Sequence, residues 1–180
     1  MAQYARPDAD DTDGNWTNQS GNQTNLYASV DEASADDGTT EIHVSDNGMG
    51  NEAMILRLSD VDEPDSGNAY IKYKAVSTDA AWSGSGLPLK LELLEGSTVR
   101  ATTTNSSIES DGSTYTAYSY TISDVSGISD WTNLKIRLTM LSGSGMGDTI
   151  YVTQVYLETQ DAAGASGATA TPAAFLLFVD

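Results

Sequence analysis

Side chains able to carry out chemistry are few in kind here, which narrows the reactions to consider. The sequence has one imidazole, His43, and no cysteine. Nucleophilic catalysis by serine needs a base within hydrogen-bond reach, and no Gly-x-Ser-x-Gly turn accompanies His43. It reads as a surface or rim residue of a strand. One imidazole also falls short of the nitrogen set that a zinc centre takes.

Carboxylates are abundant, at 26 Asp plus Glu. The run Asp8-Ala9-Asp10-Asp11-Thr12-Asp13-Gly14 supplies oxygen for a hard cation but departs from the D-x-[DN]-x-[DN]-G calcium-loop spacing, and no glutamate follows at the twelfth position. A second cluster, Asp31, Glu32, Asp36 and Asp37, is the candidate Ca2+ site, set against the plainer reading of a solvated acidic turn. No other cofactor is called for. Glycoside hydrolysis needs two carboxylates held at a defined separation, and nothing in the sequence singles out a pair. No catalytic residue is assigned, and the chain is expected to bind or build rather than to turn over a substrate. Trp82, in the loop-like stretch Ala80-Ala81-Trp82-Ser83-Gly84, is the candidate platform for a sugar ring, whereas Trp16 and Trp131 read as core.

Short strands must position these residues. Alternation is clearest in Leu134-Lys135-Ile136-Arg137-Leu138-Thr139-Met140, where apolar side chains take one face and Lys, Arg and Thr the other. The same pattern runs through Met54, Leu56 and Leu58, through Ile71, Tyr73 and Ala75, and through Leu89, Leu91 and Leu93. Leu26 to Asp31, Glu41 to Ser45, Thr98 to Thr104, Thr114 to Ile122 and Thr149 to Glu158 complete about nine strands bounded by Gly, Asn, Asp and Ser clusters. In the last of these the apolar phase slips between Val152 and Val155, which predicts a bulge near Gln154. Helical spacing is missing, save for a single turn within Ser123 to Trp131. The pattern predicts an all-β fold: an antiparallel two-sheet β-sandwich of jelly-roll topology.

Its expected parts are an extended N-terminal arm at 1–25, the sandwich at 26–160, and a small-residue linker with an apolar C-terminal tail at 161–180. A chain of 180 residues suits one core, since it buries roughly 70% of its unfolded surface. The net charge of −18 disfavours nucleic acid and anionic membranes as partners, and the surface carboxylates, with few lysines to pair them, suit saline or divalent-rich water. The start, Met1-Ala2-Gln3-Tyr4-Ala5-Arg6-Pro7, lacks the pattern of a secretory signal, so folding in the cytoplasm is expected. The longest apolar run, 173–179, is shorter than the roughly 18 residues of a membrane helix. An apolar heptad on a flexible tether calls for a docking place, either its own sandwich or a neighbour's sheet by strand addition. Phe175, Leu176, Leu177, Phe178 and Val179 are therefore the candidate partner-docking residues.

The sequence resembles a known family. Ala5-Arg6-Pro7-Asp8 leading to Gly14-Asn15-Trp16-Thr17, then Leu26 to Glu32 with Asp36-Asp37, is similar to the opening of jelly-roll structural proteins in virions of tailed, mostly marine, bacteriophages. Leu58-Ser59-Asp60 with Pro64, Leu89 to Glu95, Tyr115 to Ile122, Asp130 to Leu134 and Val155 to Glu158 continue the likeness, which spans residues 5 to 158. The family's sandwich is related in shape to carbohydrate-binding modules. The resemblance implies a virion component assembled in the host cytoplasm, decorating the capsid as a homo-oligomer and docking on major capsid or other virion proteins through its terminal arms. The alternative is a carbohydrate-binding module of a tail or fibre that recognises host glycans.

Overall fold

A computed structural model describes residues 2–45, 51–64, 68–78, 86–110, 112–141 and 147–160. The strands are β1 (Ala2–Ala5), β2 (Pro7–Thr12), β3 (Thr17–Asn18), β4 (Ile42–Ser45), β5 (Glu52–Leu58), β6 (Ala69–Thr78), β7 (Leu87–Glu95), β8 (Thr98–Ile108), β9 (Thr116–Ile122), β10 (Leu134–Met140) and β11 (Thr149–Gln160). They form two antiparallel sheets. One is ordered β3-β4-β11-β6-β9, with β1 also paired to β11; the other is ordered β2-β5-β10-β7-β8. The jelly-roll sandwich expected from the alternating pattern is the fold observed.

The pleat sends successive side chains to opposite faces, so each half-buried strand delivers its apolar row to one interior. Met54, Leu56 and Leu58 of β5 face inward beside Leu134, Ile136 and Leu138 of β10, all at most 1% exposed. Across the sandwich, Ile71 and Ala75 of β6 and Val152, Val155 and Leu157 of β11 are wholly buried. Trp16 and Trp131 belong to the same core, as their reading requires.

Two expectations are corrected. Leu26–Ser29 is a 3-10 helix, not the start of a strand. The cause lies upstream: Asp10 accepts hydrogen bonds from the backbone N–H groups of Leu26 (2.9 Å) and Tyr27 (2.8 Å), and this satisfies donors that a helical turn leaves orphaned. Residues 2–12 are extended and 13–25 are mostly turns around the short β3, yet the stretch is no free arm. β1 pairs with β11, and β2 pairs with β5, so the chain crosses between sheets at Arg6 and laces them together. The stretch Ser123 to Trp131 holds turns and no helix.

The slip in β11 is present. Register shifts between Val152 and Gln154 opposite β6, leaving Thr153 unpaired in the ladder. Val152 and Val155 can then both face the core, while Gln154 and Tyr156 face outward.

Candidate functional site

The outer face of the six-stranded sheet carries a groove of about 320 Å3, floored by outward side chains of three adjacent strands. β11 contributes Gln154 and Tyr156, β6 contributes Lys72 and Lys74, and β9 contributes Ala117 and Ser119. Antiparallel register aligns them in rows: Tyr156 lies opposite Lys72, which lies opposite Ser119, and Gln154 lies opposite Lys74, which lies opposite Ala117. β9 is the last strand of its sheet.

At the β11 end stands the loop that follows the 3-10 helix, together with the crossing at Arg6. The Glu32 carbonyl accepts from Arg6 Nη1 (2.7 Å) and Gln154 Nε2 (2.8 Å), which fixes the Gln154 amide and ties loop to crossing. The Arg6 guanidinium lies 5.1 Å from the Tyr156 ring centre and 5.6 Å from that of Tyr4, within cation–π range. The two rings meet edge-on at 5.9 Å. Tyr4 is 48% exposed, a large apolar surface left open to solvent.

Each lysine of the floor has a carboxylate partner. Lys72 Nζ is 2.5 Å from Glu158, and Lys74 Nζ is 2.5 Å from Asp37. The hydrogen bond that Lys72 donates to Glu158 holds its ammonium protonated above the ordinary lysine range, against the opposing effect of burial.

The acidic cluster read as a Ca2+ candidate adjoins this groove through the Asp37–Lys74 ion pair and the hydrogen bond from Gln154 to the Glu32 carbonyl. Its members are divided by their partners: Asp37 turns to Lys74, whereas Glu32 and Asp36 converge on Thr40. The Thr40 hydroxyl donates to a Glu32 oxygen and lies 2.9 Å from Asp36 Oδ2, and the Thr40 N–H donates to Asp36 Oδ1 at 2.9 Å. Burial pushes the Glu32 carboxyl up, and the neighbouring Asp36 and Asp31 add to that shift. Burial acts in the same direction on Asp36, but hydrogen bonds from Thr40 and Thr153 outweigh it and hold Asp36 below the usual range. Among the described residues no group of three or more His, Asp or Glu side chains is arranged to hold a metal ion.

Other sequence candidates fall elsewhere. Asp8 pairs with Arg57 and Asp11 with Lys135 on the opposite sheet, so the first acidic run fastens β2 to its neighbours. His43 faces Tyr151, with ring centres 5.4 Å apart, and its Nε2 is 3.1 Å from the Thr17 hydroxyl. His43 is thus a strand residue held between the Tyr151 ring and the Thr17 hydroxyl. Trp82 and the tail residues Phe175, Leu176, Leu177, Phe178 and Val179 lie outside the described residues.

The fold recurs in solved proteins. A cyclase from Fischerella sp. TAU aligns with a TM-score of 0.52 at 16% identity, over 91% of this chain and 100% of that one. A cyclase of the same organism in complex with 4-(1H-indol-3-yl)butan-2-one aligns with a TM-score of 0.51 at 18% identity, over 69% of this chain. The chain spans 66% of that protein's length. The C-terminal CBM6 of LamC, a marine laminarinase from Zobellia galactanivorans, aligns with a TM-score of 0.45 at 16% identity, over 89% of this chain and 100% of that one. The two cyclase alignments, at such identities, show a shared fold and no more. No protein-family model and no curated protein matches the sequence.

Proposed function

We propose that the chain is a non-catalytic binding module whose ligand is a glycan held on the outer face of the six-stranded sheet. One observation carries the reading: a groove crossing three strands presents an aromatic ring, an oriented amide and two ammonium groups on a rigid floor. Saccharides ask for this mixture, since a ring's C–H face packs on an aromatic surface while its hydroxyls take and give hydrogen bonds. Tyr156 of the groove, with Tyr4 edge-on against it, then offers an aromatic platform, beside the candidate Trp82 that lies outside the described residues.

The non-catalytic part is supported by where the carboxyls are. Glu158 and Asp37 are engaged in salt bridges. Glu32, whose carboxyl is raised as a general acid requires, has one oxygen bonded to Thr40 and the other buried without a partner, and it is not among the residues that line the groove. A virion setting, with capsid or other particle proteins as partners and the tail at 175–179 as the dock, is supported by the sequence resemblance alone.

A glycan array with the full chain tests the reading. The expected outcome is selective binding that falls at least tenfold on Tyr156→Ala, with the melting temperature of the variant close to that of the parent. Absence of binding across neutral and anionic glycans, or turnover of a bound one, would contradict it.

A further inference from the structure

We propose that this groove selects uncharged saccharides and rejects those bearing uronate or sulfate groups, because its floor lysines, Lys72 and Lys74, are already paired with carboxylates. The inference rests on the glycan-binding reading and adds the ligand's charge class to it. Arg6, Lys72 and Lys74 are three of only eight basic residues in the chain, and their gathering on one face would ordinarily point to an anionic ligand. Their contacts point the other way.

Lys72 is held by Glu158 and Lys74 by Asp37, each at 2.5 Å, and the lysine side chains are only 34% and 23% exposed. Arg6 is spent on the Glu32 carbonyl and on two tyrosine rings. The loop that Arg6 and Lys74 touch bears Asp31, Glu32, Asp36 and Asp37. Each floor lysine is thus matched by a carboxylate, Glu158 or Asp37, in a chain of net charge −18. An anionic sugar entering the groove meets these two carboxylates at short range and the field of the whole molecule at long range. A hydroxyl group meets neither obstacle. An ammonium has three donors, so a lysine bonded to one carboxylate still has N–H groups to offer a neutral acceptor.

The test uses the full chain in titration calorimetry. Neutral oligosaccharides of glucose, xylose, galactose and mannose are compared with oligo-alginate, oligogalacturonate and sulfated galactan, at ~10 mM and ~0.5 M NaCl, conditions that bracket weak and strong screening. The expected result is binding of a neutral member that changes less than about twofold with salt, and no binding of the anionic series. The Asp37→Asn/Glu158→Gln variant, which frees both ammonium groups, should gain at least tenfold for the sulfated ligand. Binding of an anionic oligosaccharide by the parent chain, weakening with salt, would overturn the charge assignment and leave the groove as the binding face. Binding of no saccharide would instead remove the reading beneath it.

Discussion

Glu92 shows how single residues hold this acidic molecule together. On β7 its carboxylate lies 2.6 Å from Arg137 on β10 and 3.2 Å from Lys90 on its own strand, with the side chain only 8% exposed. The hydrogen bond from Arg137 holds its carboxyl below the ordinary range, burial opposes, and Lys90 adds to the lowering. A carboxyl depressed in the folded state contributes stability above its unfolded value of about 4.3 and loses it as pH falls through the lower folded value. Glu92→Gln should therefore cost about 1–2 kcal/mol at neutral pH, the range of a charge-assisted hydrogen bond in a half-buried setting. That difference should vanish in strong acid, where both chains carry a neutral side chain, and urea unfolding across pH would show it. At this scale the sequence was partly legible. Lys135 and Arg137 were plainly outward residues of an alternating strand, but their partners Asp11 and Glu92 depend on strand neighbours that no local pattern names.

Elements are set by turns and by irregularities in the ladders, the β11 bulge among them. Gly14 joins β2 to β3 with φ of 56°, and a Cβ there would lie 2.0 Å from the Ala53 carbonyl oxygen of β5. Only glycine fits both the backbone angle and the approach. The same turn is fastened by Asn15 Nδ2 on the Glu52 carboxylate (2.6 Å) and by Trp16 Nε1 on the Glu52 carbonyl (3.2 Å). Gly14→Ala should destabilise the fold by about 2–4 kcal/mol, combining left-handed strain with displacement of a core strand, as read from thermal or denaturant unfolding. A loss under about 0.5 kcal/mol would mean that the turn yields freely. The bulge in β11 was readable because its cause is local: two valines three residues apart cannot both face a core in an unbroken strand. The 3-10 helix at Leu26–Ser29 was not, since its cap, Asp10, lies sixteen residues upstream. The polar stretch Pro7–Thr12 likewise reads as part of an arm and not as a strand of the sandwich, because an edge strand with a solvated face needs little apolar content.

For the whole molecule, local alternation sufficed to give two sheets over one interior, since apolar rows on many short strands have few other ways to leave water. The groove was not readable in that way. Lys72, Lys74, Gln154 and Tyr156 are recognisable as outward-facing, but they converge only because β6 pairs with β11 across some eighty intervening positions, a long-range choice made by the whole core. The central claim, that this face is where a partner sits, is tested most directly by amide chemical-shift mapping with the tightest saccharide from the array. Shifts concentrated at Lys72, Lys74, Ser119, Gln154 and Tyr156, with the β5, β7 and β10 face unchanged, are the predicted result. Shifts confined to that opposite face, or to the stretch around Trp82, would contradict it.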